Sequence, residues 1–217
     1  MSYVELIDWM GGDDRVVDAA RVSMDKKSSQ YTKEQNEKLI NYLAKHDHWT
    51  PFAHVVFTFR IKMPIFVARQ WFKHTVGLNR NEVSRRYVSN SPEFWYPGTW
   101  REAPEGSVKQ GSGKEISPTS YKSFFCTRDY SQAVKKCEDV YNYLIEEGVA
   151  PEQARAVLPQ AMYTEFVETG SLVSYARICN LRLDSHAQKE IREYAQEIYD
   201  LINENIPYSW SKLVDLP

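Results

Sequence analysis

The chain has 217 residues, 42% hydrophobic and 26% charged, with a net charge of −2. That composition excludes a disordered chain, and the near-neutral charge excludes a protein whose whole surface is built to hold a polyanion. No apolar run reaches bilayer length, Met1-Ser2-Tyr3-Val4-Glu5 lacks the basic-then-apolar form of a secretory leader, and Cys126, Cys137 and Cys179 make neither an even disulfide set nor a tight metal spacing. The expectation is a single domain, cytoplasmic, with reduced thiols and no membrane partner.

In chain order, Asp13 and Asp14 are placed to cap a short helix running to Ser23, and the polar residues 24–31 follow as loop. Thr32 with Gln35 is a capping box that opens a helix with Leu39, Tyr42 and Leu43 on its apolar side, ending near His46. From Val55 to Met63 the period becomes two: Val55, Phe57, Phe59, Ile61 and Met63 point one way and Thr58, Arg60 and Lys62 the other, as in a half-buried strand. Pro64 stops it and starts a helix from Ile65 to about Thr75, closed by Gly77. Residues 89–118 hold four of the nine glycines and four of the ten prolines, which predicts an irregular loop rather than an interdomain linker.

Ser117-Pro118 resembles a cap and first-turn proline for a long helix with Tyr121, Phe125, Val134, Cys137, Tyr141 and Leu144 near one face, closed by Gly148. A short helix from Pro151 to Leu158 follows, then one over Ser171 to Leu181. A last long helix carries Ile191, Tyr194, Ala195, Ile198 and Leu201, with Ser185 and Gln188 as its capping box. The class is α+β with helices dominant.

Two regions carry unusual chemistry. Residues 69–87 contain Arg69, Lys73, His74, Arg80, Arg85 and Arg86 interleaved with aromatics, and Glu82 is the only acid among them. A solvated helix face alternates its charges; this cluster suits a phosphate, which takes arginine's planar fork and lysine's point charge. The residues alone leave anion binding and a structural cluster both open. In the second region Arg182 and His186 flank the expected cap at Ser185, where an anion would meet a helix start, although pairing of Arg182 with Asp184 or Glu190 is the simpler reading of that stretch by itself. Four of the five histidines, His46, His48, His54 and His74, lie close in sequence, but their spacing matches no zinc pattern, and no metal site is expected.

Taken together, the motifs resemble the flavin-dependent thymidylate synthases, the ThyX type. The family signature is Arg-His-Arg, seven residues and Ser, flanked by an early Ala-Arg-Val-Ser, a His-x-Thr-Pro-Phe-x-His before a strand and a late Leu-Arg-x-Asp-x-His-Ala-Gln-x-Glu-Ile. This chain has Ala20-Arg21-Val22-Ser23, His48-Trp49-Thr50-Pro51-Phe52-Ala53-His54, Arg155-Ala156-Val157-Leu158-Pro159 and Leu181-Arg182-Leu183-Asp184-Ser185-His186-Ala187-Gln188-Lys189-Glu190-Ile191, in the family's order. The central motif departs: Lys73-His74-Thr75 stands for Arg-His-Arg, and eight residues separate Thr75 from Ser84. Arg80, in the longer loop, is the candidate to replace the missing charge, and Arg177 stands where a small amide or imidazole is usual.

The resemblance implies a ThyX-like fold with a small, mostly antiparallel sheet, one such domain over residues 1–217, and a homotetramer with sites shared between subunits. It implies methylation of dUMP to dTMP with methylenetetrahydrofolate and NADPH as co-substrates and FAD as cofactor. Carried over by position, Gln70, Lys73, Glu82, Val83, Ser84, Arg85, Arg86, Arg155 and Arg182 would hold dUMP. Ser23, Thr50, Lys73, His74, Thr75, Glu82, Ser171, Val173, Arg177, Leu181 and His186 would line the flavin. Arg182 would stabilise the anionic pyrimidine by its fixed charge, and His48 would orient groups or manage a proton. Two other classes stand beside this one: a nucleotide-binding protein without turnover, and a nucleic-acid module using residues 69–87, which the net charge disfavours.

Overall fold

In the computed structural model, which describes residues 3–88, 90–104, 106 and 111–215, the alternating segment is strand β2 (Val56–Pro64), after strand β1 (Tyr3–Met10). Phe57, Phe59, Ile61 and Met63 are fully buried, as the period of two requires. With β3 (Leu78–Glu82) and β4 (Tyr163–Ser171) they form an antiparallel sheet in the order β1-β2-β4-β3. Helices α1 (Asp13–Arg21), α2 (Lys33–Lys45), α3 (Ile65–Trp71), α4 (Tyr121–Glu146), α5 (Pro151–Ala154), α6 (Leu172–Arg182), α7 (Lys189–Asn205) and α8 (Pro207–Leu213) complete the helix-dominated α+β architecture.

Strands β1, β3 and β4 are additions to the sequence expectation. The inward residues of β4 are Thr164, Phe166, Glu168 and Gly170, so its alternation carries one large apolar side chain and is invisible to a hydrophobicity count. β3 has only Leu78, and β1 points Ile7, Trp9 and Met10 outward.

Several caps also differ from expectation. Gly12, not Asp13 or Asp14, precedes α1, and Asp13 instead accepts hydrogen bonds from the backbone N–H (3.0 Å) and the hydroxyl of Ser209. Ser120 rather than Ser117 caps α4, accepting from the N–H of Ser123 at 3.1 Å. Gln188 precedes α7 with no side-chain cap bond, so the box expected at Ser185 does not form. α3 ends at Trp71, short of Thr75. The Thr32–Gln35 box is present, but α2 buries Asn36, Ile40 and Leu43 and leaves Tyr42 exposed.

The chain divides into two compact units: Met1–Tyr3, Lys62–Trp71 and Glu82–Phe166 form one, and Val4–Ile61, Phe72–Asn81 and Val167–Pro217 the other. In the second, α6 is apolar almost all round: Leu172, Val173, Tyr175, Ala176, Ile178 and Cys179 are all buried, which makes it a core helix. α7 buries Ile191, Tyr194, Ala195, Ile198 and Ile202, and Trp210 of α8 is fully buried. In the first, α4 buries Val134 and Tyr141. Its segment 93–95 runs beside residues 161–163 through Trp95 N–H to Ala161 O and Tyr163 N–H to Glu93 O, both 2.8 Å. Of the stretch expected to be irregular, residues 89, 105 and 107–110 lie outside the described residues; the remainder carries only the isolated bridges Phe94–Met162 and Arg101–Glu115.

Candidate functional site

The site residues fall into two groups, one in each unit. In the unit containing Val167–Pro217, the end of α6 delivers Arg182, half-buried, from a helix fixed in the core. Its Nε donates to His74 Nε2 at 3.0 Å, joining two residues 108 apart in sequence. Because Nε2 is the acceptor, the ring is neutral with its proton on Nδ1. Burial, then the charges of Arg182 and Arg80, hold the His74 pKa down to about 4. Burial also lowers that of Arg182, which remains a cation at neutral pH.

The His74 loop is held tightly. Gly77 has φ +72°, and a Cβ there would lie 2.3 Å from Ser174 Oγ, so both the backbone conformation and the approach to α6 demand glycine. Ser171 caps α6 by accepting from Ser174 N–H at 3.3 Å, and its own N–H donates to Gly77 O, also 3.3 Å. Arg80 pairs through Nε with Glu168, which is fully buried, and donates through Nη2 to His74 O at 2.5 Å.

Among the remaining flavin candidates of this unit, Arg177 is exposed on α6 with its guanidinium 5.6 Å from the Trp49 ring centroid. His48, Trp49 and Thr50 line a cleft of about 390 Å³ with Ala19, Ala20 and Leu43. Leu181 and His186 are exposed, His186 in a turn where its ring Nδ1 and backbone N–H both meet Asp184 Oδ1, at 2.9 and 2.7 Å. Ser23, Lys73 and Thr75 are exposed; Val173 is buried and offers only its backbone. A neutral imidazole, hydroxyls, fixed cations and an exposed indole fit a planar, anionic group such as a flavin nucleotide.

The other unit holds the nucleotide candidates. Ser84 Oγ accepts from Arg86 N–H at 3.3 Å. Arg86 Nε lies 3.3 Å from a carboxylate oxygen of Glu152, and Arg155 Nε donates to the Glu152 carbonyl at 3.3 Å. Glu82 accepts from the Thr164 hydroxyl at 2.5 Å, and Val83 N–H donates to Glu165 O at 2.8 Å. Arg85 is turned onto Asn90, bonding its backbone and side-chain oxygens, so it anchors the start of the loop. Gln70 is half-buried on α3. Sequence reasoning missed the partners Glu152 and Glu168; Glu168 gives no signal, since an acid in a polar-looking segment reads as surface.

The Cys179 thiol is not set up as a nucleophile. Cys179 is buried with its thiol pushed well up by burial and donates to Ala195 O at 3.7 Å. Among the described residues no cluster of three or more His, Cys, Asp or Glu could hold a metal ion, and no helix is long and apolar enough to cross a membrane.

The depressed His74 pKa has a measurable consequence. Between 6.5 and about 4 the unfolded chain binds a proton at this residue that the folded chain refuses. Its contribution to stability is therefore complete above pH 6.5 and lost progressively as pH falls toward 4. Melting curves across that range should show a steeper acid-side decline for the wild type than for His74→Gln; parallel declines would contradict a neutral, acceptor His74.

Comparison with known proteins finds relatives over nearly the whole chain. A family model described as thymidylate synthase complementing protein matches residues 5–208. A flavin-dependent thymidylate synthase of Thermosipho africanus is 41% identical over 209 residues, covering 96% of this chain and 89% of that protein. One from Thermus thermophilus is 38% identical over 209 residues, covering 96% and 74%. Among solved structures, the UMP/dUMP methylase PolB from Streptomyces cacaoi, bound with 5-Br dUMP, superposes with a TM-score of 0.85 at 27% identity, covering 98% of this chain and 94% of that one.

Proposed function

The chain belongs to the flavin-dependent thymidylate synthases, and from that premise we propose that it converts dUMP to dTMP with FAD as its flavin, methylenetetrahydrofolate as carbon donor and NADPH as reductant. The observation that carries this reading is the 3.0 Å bond between His74 and Arg182, which joins a flavin candidate to the residue expected on the pyrimidine.

Ser84, Arg86 and Arg155 hold the nucleotide phosphate, with Gln70 and Lys73 as further polar contacts. Arg182 lies in the plane of the pyrimidine at its N3–C4 carbonyl edge. It stabilises the negative charge that makes C5 nucleophilic, and it does so as a fixed cation, without exchanging a proton. His74 keeps the Nε edge of that guanidinium engaged, so its plane is set before the nucleotide arrives. His74, Thr50, Ser23, Ser171, Arg177, Leu181 and His186 would hold the flavin, with Lys73, Thr75 and Glu82 at its margin. When bound, the flavin supplies the hydride that completes the methyl group. His48, on the wall of the cleft with Thr50, orients groups there. A homotetramer with sites shared between subunits is the assembly this reading requires.

Purified protein should be yellow, and denaturation should release FAD. The departures at Thr75 and Arg177 make this an informative test. A colourless protein that takes up no FAD even with dUMP present would remove the reaction and leave a nucleotide-binding protein.

A further inference from the structure

We propose that Arg80 and Glu168 are a positioning pair for this site: Arg80, seated on the buried Glu168 carboxylate, fixes the backbone of His74 so that its ring meets Arg182 and sets the guanidinium plane. The inference rests on the reading of Arg182 given above.

Glu168 lies on β4 with its side chain fully buried. An interior carboxylate is tolerated only when paired and hydrogen-bonded, and Arg80 from β3 provides the pair through Nε. The same guanidinium then reaches the other way, from Nη2 to the carbonyl oxygen of His74. Its flat face lies 5.1 Å from the Phe72 ring centroid, so the side chain is gripped on two edges and one face. The loop between Phe72 and Arg80 has a second anchor at Gly77, pressed against Ser174 of α6. One contact sets where the loop meets the helix that carries Arg182; the other sets how His74 is turned. The resulting series, Glu168 to Arg80 to His74 to Arg182, lies within one compact unit.

This geometry opposes the role that sequence suggests for Arg80, a substitute for the arginine missing at Thr75. A substitute would bring its charge to the flavin. Arg80 has its charge matched by Glu168, and two of its nitrogens point to protein oxygens. A purely structural pair, conversely, would have no reason to grip the carbonyl of His74 itself.

The test uses the full-length protein with selectively 15N-labelled histidine and arginine, the His74 signal being assigned through His74→Gln. In Arg80→Met/Glu168→Leu both charges leave together and the interior stays filled, which keeps the fold accessible. In Arg80→Lys the pair with Glu168 survives but the second in-plane donor is lost, giving a variant that folds if the first does not. Arg80→Lys, which keeps the charge at that position, should show His74 titrating higher than in the wild type, and both variants should show a changed Arg182 Nε signal, measured without substrate. Both should lose about 10- to 100-fold in kcat, the scale of an ångström of misplacement, with dUMP affinity nearly unchanged. If either folded variant keeps the wild-type Arg182 signal, or Arg80→Lys the wild-type His74 titration, the pair is only structural and the proposal falls. If the signals move while turnover does not, the bracket stands and the assignment of Arg182 to the pyrimidine fails.

Discussion

Arg182→Lys is expected to slow single-turnover flavin oxidation by about 10²- to 10³-fold, the range seen when one preorganised donor is removed from a developing anion, while dUMP affinity changes far less. In the free protein the Nε edge of Arg182 is bonded to His74, so the guanidinium presents its Nη edge in a fixed plane. Lysine keeps the charge but gathers its three donors at one point on a flexible stem, without the planar fork that holds His74 on one edge and an in-plane carbonyl on another. The loss should therefore appear in the transition state, where charge develops on the pyrimidine, more than in ground-state binding. Dissociation constants for dUMP and single-turnover rates decide it, measured on protein of equal flavin content. Equal losses in both would reduce Arg182 to a binding group.

Complementation between inactive variants is the second large effect. Arg155→Ala and Arg182→Ala should each be nearly inactive alone. The two residues lie in different units of the chain, and in the shared-site reading each site takes Ser84, Arg86 and Arg155 from one subunit and Gln70, Lys73 and Arg182 from its neighbour. In a mixed pair one site collects both defects and its twin collects none. Random mixing makes half the pairs mixed, so co-refolded or co-expressed variants should return about a quarter of wild-type turnover. Activity that stays at the level of the parents would mean that both residues serve one subunit, and the shared-site reading would fail even for a tetramer.

The parts of the fold legible in sequence are those where burial and apolarity coincide. Val55 to Met63 alternates without exception, Thr32 and Gln35 cap as a pair, and the apolar side of α7 is correctly given by Ile191, Tyr194, Ala195 and Ile198. β4 escaped because its inward row includes Glu168 and Gly170, one needing Arg80 and the other standing where an added Cβ would meet Leu78 at 2.3 Å. Both demands come from tertiary neighbours that a local window does not contain. The caps at Asp13 and Ser185 failed for a related reason: the Asp13 carboxylate takes Ser209 as its partner, and the amide of Gln188, the other half of the expected box, donates to Glu190. At the site, sequence identified Arg182 and His74 as candidates through their motifs but gave no sign that they touch. It named Arg86 and Arg155 and missed the acid between them.

That acid changes how the phosphate site meets solution. Glu152 offers its carboxylate to Arg86 and its carbonyl to Arg155, so Arg86 already has an anionic companion built into the chain. In the nucleotide reading, an arriving phosphate exchanges with this internal counterion as well as with salt from the solvent. A mobile ion set free gains translational entropy that grows as the buffer is diluted, whereas a tethered carboxylate swung aside gains none. Ionic strength should therefore govern dUMP affinity less steeply than two uncovered arginines would dictate, and any other phosphate that competes for the site has to displace the same tethered carboxylate, so the companion lowers all their affinities together and leaves discrimination to the contacts made with the base and sugar.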